Sequence, residues 1–259
     1  MSKEKLNIVK VGGAIVEKEE SLLPLLKSFS SLSGNKILVH GGGKIATAIA
    51  AQLGVETQMI NGRRVTSAEM LKVVTMVYGG LVNKNLVARL QSMGVNAIGL
   101  TGADMNIIRS DKRPVEPIDF GFVGDVKEVN AKALYDIIGS GAVPVLAPLT
   151  HDGKGTMLNT NGDTIAATVA KALSSEYDVT LTYCSSTPGV MKDLDDPDSL
   201  IKTITSSDFR SLVADGTISE GMIPKLENAF EAIGSGVSRV VITSASDIDG
   251  GTTIMADPE

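Results

Sequence analysis

Short runs rich in valine, isoleucine and leucine alternate along the chain with longer segments of helical period, which predicts an α/β protein. Two further observations sharpen that reading. The apolar runs are near-continuous, as strands of a mainly parallel sheet covered by helices on both faces must be. Two of them end in glycine turns, and in such sheets ligands bind at the carboxyl ends of strands. The expected architecture is a three-layer α/β/α sandwich around a central, mainly parallel sheet, with an inserted β-hairpin lid.

Strands are predicted at 6–11, 36–40, 97–101, 143–147, 178–183 and 239–243, and helices at 19–31, 44–53, 67–92, 130–140, 163–174, 206–214 and 224–234. The helix after Gly43 carries an apolar stripe at Ile45, Ala46, Ile49, Ala50 and Leu53 and stops at Gly54. The 67–92 segment contains Gly79-Gly80, which costs about 1 kcal/mol per glycine in a helix interior. Close helix packing, across a dimer axis for example, would offset that cost; a helix break is the other reading. Residues 107–129 interrupt the alternation with Arg109, Asp111, Lys112, Arg113, two prolines and Gly121, and read as the hairpin lid.

The chain has 259 residues, 43% of them hydrophobic, and a net charge of −6, an acidic balance that argues against nucleic-acid or anionic-membrane partners. With 3% aromatic residues and no tryptophan, base-stacking platforms are not expected. The single cysteine, Cys184, excludes an intrachain disulfide and a cysteine-rich zinc site. No signal peptide or membrane-spanning run is read, so the expectation is a cytoplasmic protein.

Leu6 to Val11 runs into Gly12-Gly13, and Lys36 to His40 runs into Gly41-Gly42-Gly43 and a helix. Glycine lets the backbone approach an anion and aim its N–H groups at it. Lys10, within a strand buried on both faces, fits an anion-binding role, the alternative being an edge position that lets the ammonium reach solvent. Gly41-x-Gly43-x-x-Ala46 matches the relaxed dinucleotide fingerprint, but Asn61 and Gly62 stand where that motif needs an acidic residue. A P-loop fails too, since Lys44 is followed by Ile45.

Asn61-Gly62-Arg63-Arg64-Val65-Thr66 offers an arginine fork for a carboxylate, or simply a solvated turn. Asn159-Thr160-Asn161-Gly162-Asp163 reads as a helix cap, as a polar cluster orienting substrate and cations, or both. Lys225 follows Gly221-Met222-Ile223-Pro224 at a helix start, where the dipole disfavours a cation unless an anion shares the site; a surface lysine is the bland alternative. Only two histidines occur, with no metal-cage spacing, and His40 reads as hydrogen-bonded structure instead of a base. Two lysines, glycine amides, an arginine, asparagines and one carboxylate suit phosphoryl transfer to a nucleophile that is already ionised.

Taken in order, Lys10-Val-Gly-Gly, His40-Gly-Gly-Gly43, Asn61-Gly-x-Arg64-Val-Thr, Asn83-Lys84, Phe120-Gly-Phe-Val-Gly124, Asn159-x-Asn-x-Asp163 and Gly221-Met-Ile-x-Lys225 resemble the amino-acid kinase family over nearly the whole chain. The Asn-Gly-x-Arg-Val-Thr element is similar to the acylglutamate-binding segment of one branch. The resemblance implies ATP-dependent phosphorylation, with Mg²⁺, of the γ-carboxylate of N-acetyl-L-glutamate in arginine biosynthesis. A bulkier acyl group such as succinyl, and a non-catalytic nucleotide- or amino-acid-sensing module, are the alternatives. A dinucleotide-dependent oxidoreductase, lacking its acidic partner, is a remoter one.

The resemblance also implies roles. Lys10 and Lys225 would neutralise the transferring phosphoryl group, Asp163 would hold both lysines, and Gly42, Gly43, Arg64 and Asn159 would bind substrate. Gly12, Gly13, Ser185, Gly189 and Lys192 would serve the nucleotide. An acylamino-acid-binding and dimerisation lobe, 1–176, would precede a nucleotide-binding lobe, 177–259. One departure is plain: serine stands in Ser185-Ser186-Thr187-Pro188-Gly189 near where related enzymes carry aspartate. Few residues precede the first strand, so the expected assembly is a homodimer without strong arginine feedback.

Overall fold

The computed structural model describes residues 3–185, 187–193, 195–218, 222–248 and 250–257. The chain opens with β1 (Glu4–Val11), α1 (Gly13–Val16), α2 (Glu19–Ser31), β2 (Asn35–His40) and α3 (Gly43–Gln52). A small hairpin, β3 (Met59–Ile60) and β4 (Arg63–Arg64), leads to α4 (Ala68–Val74), a π-helical segment (Thr75–Val82) and α5 (Asn83–Ser92). Then come β5 (Ala97–Leu100), β6 (Ile108–Lys112), β7 (Gly124–Val129), α6 (Ala131–Gly139), β8 (Val143–Leu146), β9 (Leu149–His151) and β10 (Met157–Asn159). The last part holds α7 (Gly162–Leu173), β11 (Tyr177–Ser185), β12 (Thr203–Ile204), α8 (Ser206–Ala214), α9 (Ile223–Gly234), β13 (Arg239–Ser244) and β14 (Thr252–Ile254).

Eight strands form the central sheet in the order β12-β14-β13-β11-β1-β2-β8-β5. Every neighbouring pair is parallel except β13 with β14. All six strands expected from the apolar runs belong to it. The strand period of two divides their side chains between two cores. Leu6 and Ile8 of β1 join Leu181 of β11 beneath Ile165 and Val169 of α7 and Leu226 of α9. Val9 and Val11 point the other way and join Phe29 of α2, Ala46 of α3 and Leu86 of α5. By the same count Lys10 falls on the face of Leu6 and Ile8, at the end of β1 that leads into the first glycine turn.

The predicted lid is real but larger than read. β6 and β7 pair antiparallel, with an irregularity between Arg109 and Ser110, and β9 and β10 extend them into a second sheet ordered β10-β9-β6-β7. Those two strands have three residues each and carry polar side chains, too short and mixed for an apolar pattern to reveal. The 67–92 helix is continuous, and its middle is wound as the π segment. A side chain on Gly79 would meet Leu149 and Thr101 at van der Waals distance, whereas one on Gly80 would meet nothing within 4 Å. Close packing against its own chain, without a break, therefore accounts for the first glycine only.

The lid is tied down at one place. Thr66 donates its N–H to the Phe120 carbonyl (2.9 Å) and accepts from the Phe122 N–H (2.8 Å), while the Asn159 N–H donates to the Phe122 carbonyl (2.9 Å). Gly121, at φ +71°, lies where a Cβ would collide with the Thr66 carbonyl. Gly121→Ala should therefore cost about 1–3 kcal/mol of stability, the usual range for a residue forced into a strained region. Urea unfolding checks this, and an unshifted midpoint would mean that the lid is not anchored through Thr66.

Candidate active site

The two glycine turns meet backbone to backbone. A Cβ on Gly41 would lie 2.9 Å from the Gly13 nitrogen, and a Cβ on Gly13 would lie 3.2 Å from the nitrogens of both Gly42 and Gly43. Gly42 itself has φ +155°, and a Cβ there would press on the Tyr78 ring at 3.2 Å. No residue with a side chain fits this junction without displacement. The Gly41 N–H bonds the Val11 carbonyl at 2.9 Å, so the second turn hangs from the end of β1.

Two side chains fix the carbonyls of the second turn. The buried His40 bonds the Gly41 carbonyl through Nδ1 at 2.7 Å. Arg64 donates through Nη2 to the Gly43 carbonyl at 2.7 Å and to the Thr47 hydroxyl at 2.8 Å. Its position follows from a tight hairpin turn: Asn61 and Gly62 both take positive φ, 50° and 73°, as a two-residue turn of this twist requires. Arg64 is thus 9% exposed and braces the turn, which excludes the solvated-turn reading.

Lys10 reaches Asp163, with Nζ 2.7 Å from Oδ1. Asp163 sits in the first turn of α7, whose cap is Asn161: its side chain accepts the N–H groups of Asp163 (2.8 Å) and Thr164 (3.1 Å). The capping and functional readings of this cluster therefore coexist. Lys225, in the first turn of α9, has its pKa lowered from 10.5 by burial; the Asp163 carboxylate opposes that shift and the Lys10 ammonium adds to it. Both lysines and the aspartate feel one another's charge. Cys184 shares this neighbourhood, but burial lifts its thiol to about 12 against the pull of Lys10 and Lys225, leaving it protonated at neutral pH.

A cavity of about 560 Å³ joins these pieces, lined among others by Gly42, Gly43, Arg64, Asn159, Asp163 and Tyr183. Asn159 donates through Nδ2 to the Thr66 hydroxyl at 3.0 Å, which leaves its carbonyl oxygen and second N–H available. Gly13 packs against the second turn, and Gly12, Gly13, Lys10 and Lys225 lie behind the cavity's lining and not in it, Lys10 reaching it through Asp163. Ser185 lies at the end of β11, where its hydroxyl bonds the carbonyls of Thr187 (3.1 Å) and Thr243 (3.3 Å). Gly189 is packed against Leu200 and Thr252, and Lys192 is exposed, so neither of them, nor Ser185, borders the cavity. Gly221 and Ser186 lie outside the described residues.

The cavity also holds Met59 and Tyr78, which sequence reasoning passed over, and Arg63, Arg113, Val123 and Thr160, which it named within motifs without a role of their own. Arg113 is held by Asp125 at 2.5 Å and lies over the Phe120 ring, 5.4 Å from its centre. Its place depends on the pairing of β6 with β7, and no local pattern announces it. Among the described residues no helix is long and apolar enough to cross a membrane, and no three His, Cys, Asp or Glu side chains gather as metal ligands.

The chain resembles known proteins over nearly its whole length. Residues 5–244 match the amino acid kinase family. An acetylglutamate kinase of Bacteroides thetaiotaomicron is 65% identical over 246 residues, covering 95% of this chain and 96% of that one. One from Methanopyrus kandleri is 41% identical over 243 residues, covering 92% and 95%. Among solved structures, smu.665 from Streptococcus mutans superimposes with a TM-score of 0.79 at 29% identity, covering 97% of this chain and 99% of that one. Carbamate kinase from Giardia lamblia, bound to AMP-PNP, shares the fold with a TM-score of 0.69 at 16% identity, covering 98% and 99%. The match spans both glycine turns, the Lys10–Asp163 pair and the helix of Lys225, and the chain belongs to the amino acid kinase family.

Proposed function

We propose that this chain transfers the γ-phosphoryl group of ATP to the γ-carboxylate of N-acetyl-L-glutamate, giving an acyl phosphate in arginine biosynthesis. The observation that carries the reading is the Lys10–Asp163 pair, with Lys225 beside it, next to two glycine turns whose carbonyls are tied back. Phosphoryl transfer spreads charge over the equatorial oxygens of the moving group, and catalysis consists of positioning and neutralising that charge. Lys10 and Lys225 supply the positive charge, and Asp163 keeps Lys10 in place. The acceptor carboxylate is ionised at neutral pH, so no base is needed.

Arg64 and Asn159 take the substrate's α-carboxylate. The Nη2 of Arg64 is committed to Gly43 and Thr47, but its Nη1 makes only long contacts, 3.4 Å to the Thr57 hydroxyl and 3.9 Å to the Met70 sulfur. That nitrogen is the donor left for an anion. Mg²⁺ fits as a companion of the nucleotide phosphates, since it keeps several waters and needs few protein ligands; when bound it neutralises phosphate charge. The 177–259 lobe, with Ser185, Gly189 and Lys192 about the end of β11, serves the nucleotide, and the 1–176 lobe serves the acylamino acid.

A second reading concerns the acyl group alone. The outer end of the cavity combines the apolar Met59 and Val123 with the exposed Arg63, a setting that also suits an acyl chain ending in a carboxylate, such as succinyl. Met76 and Leu81 on the π segment and Ile98 on the edge strand β5 remain 55%, 48% and 40% exposed, and a second copy of the chain covers them in a homodimer. The enzyme works in the cytoplasm.

ATP-dependent acyl-hydroxamate formation tests the reading, with N-acetylglutamate and N-succinylglutamate side by side and free glutamate and aspartate as controls. Turnover with either acylglutamate is expected; none with any would leave a sensing module. Lys10→Ala should lower kcat by about 10² to 10³, the cost of losing one electrostatic stabiliser, and near-normal turnover would remove Lys10 from the mechanism.

Lys225→Met should raise stability at neutral pH. Its folded pKa lies below its unfolded value of 10.5, so the folded state binds the proton less tightly and the charged lysine destabilises it. That penalty is complete below the folded pKa and fades as pH rises towards 10.5. The variant should therefore melt higher than the parent at pH 7, with the gap closing at alkaline pH, while losing activity. A lower melting temperature would show that the attraction of Asp163 outweighs burial.

A further inference from the structure

His40 is fully buried beneath the second glycine turn, and its hydrogen bonds leave it one protonation state. Its Nδ1 faces the Gly41 carbonyl, which only accepts, so Nδ1 carries the proton. Its Nε2 faces the Asn83 side-chain amide nitrogen at 3.1 Å, which only donates, so Nε2 is bare. The amide orientation is itself fixed. The same Asn83 nitrogen donates to the Val145 carbonyl at 2.9 Å, and its oxygen accepts from the Lys84 ammonium at 3.1 Å. Lys84 is held in turn by the Gly99 carbonyl at 2.8 Å. Flipping the amide would set oxygen against carbonyl and nitrogen against ammonium. Burial, with help from Lys84, lowers the imidazole pKa to about 4 although the Gly41 bond opposes it, so the ring is neutral through the physiological range.

The consequence lies on the far side of a peptide bond. In a trans peptide the carbonyl and the following N–H point in opposite directions. Fixing the Gly41 carbonyl towards His40 therefore turns the Gly42 N–H away from the core. The Gly42 carbonyl accepts from the Ala46 N–H at 3.0 Å, which turns the Gly43 N–H out in the same manner. Neither N–H has a partner among the described residues. At φ +155° Gly42 has no side chain to resist rotation, so an unheld peptide plane would swing freely.

We propose that His40, kept as the Nδ1-protonated neutral tautomer by Asn83, is a positioning residue that aims the Gly42 N–H at the anionic oxygens of the reacting groups. The inference rests on the proposed kinase reading for its catalytic readout but not for its geometric one. An asparagine places its amide nitrogen near the position of Nδ1 and keeps the bond to Gly41. Leucine fills the space and loses it. A one-ångström misplacement of a donor costs up to about 10² in rate.

His40→Asn should hold kcat within about threefold of the parent, and His40→Leu should lose about tenfold or more in kcat at unchanged KM for ATP and comparable melting temperature. Equal kcat in the two variants would overturn the proposal. Asn83→Asp keeps the shape but can no longer donate to Nε2. It should appear in imidazole ¹⁵N spectra as a newly protonated Nε2, and an Nε2 that stays bare would overturn the part assigned to Asn83. Without substrate, the ¹⁵N spectrum of the parent should show a protonated Nδ1 and a bare Nε2. The Gly42 amide resonance should move in His40→Leu and stay in His40→Asn. If the parent makes no acyl phosphate, the kinase reading fails while these spectra still decide the positioning role, and a protonated Nε2 or an unmoved Gly42 resonance would refute it.

Discussion

The contact between two glycine turns is the constraint on which the rest of the structure depends. Gly13 and Gly41 approach so closely that a methyl group on either would have to displace backbone. Such an approach brings the ends of β1 and β2 together as one surface of unpaired N–H groups, a concavity suited to phosphate. Its cost is conformational freedom, because glycine is the residue least restrained by its own sterics. The protein offsets that freedom by holding the carbonyls: Val11 ties the Gly41 N–H, His40 the Gly41 oxygen, Ala46 the Gly42 oxygen and Arg64 the Gly43 oxygen. The anion-facing side is rigid because the opposite side is fully engaged.

Strand periodicity determines where the charge goes. Had Lys10 stood one residue earlier or later, it would have entered the core of Val9 and Val11 beneath α2 and α3. At its actual position it follows Leu6 and Ile8 to the face covered by α7 and α9, whose first turns bring Asp163 and Lys225. A helix N-terminus disfavours a cation, and burial disfavours it further, so Lys225 is held against two unfavourable terms. Asp163 answers part of that. In the proposed reading a triphosphate would answer the rest.

The layers and the principal strands were legible in the sequence because near-continuous apolar runs read as covered strands, and Lys10 and Lys225 drew notice because each sits badly in its local context, whereas Asp163, well placed at a helix start, was joined to them only through the family resemblance. Arg64 was legible only through the family resemblance, since the Asn61-Gly62 turn that buries it looks locally like surface. β9 and β10 could not be read, and Arg113 and Thr160 were read only as members of the hairpin and of the polar cluster, without their places at the cavity. Their places follow from how the strands join into one sheet, as where Arg109 pairs with His151, and no local period encodes that register. The π segment escaped for a related reason: its glycines signal a departure from the α-helix but do not say which one.

In the proposed role His40 would serve a reaction without taking part in it. A histidine at the end of an active-site strand invites assignment as a base, yet its proton is on the nitrogen facing a backbone carbonyl and its other nitrogen is blocked by Asn83. Neither nitrogen is open to the acceptor. The reaction does not call for one either, because a carboxylate nucleophile has already lost its proton. Where the acceptor is ionised, the reaction has no use for a titrating imidazole near the phosphates, and protonating Nε2 would cost the bond from Asn83 while leaving the one to Gly41. Burial that disfavours protonation and an asparagine that fixes the tautomer then serve one requirement, that Nδ1 keep its proton on the Gly41 carbonyl.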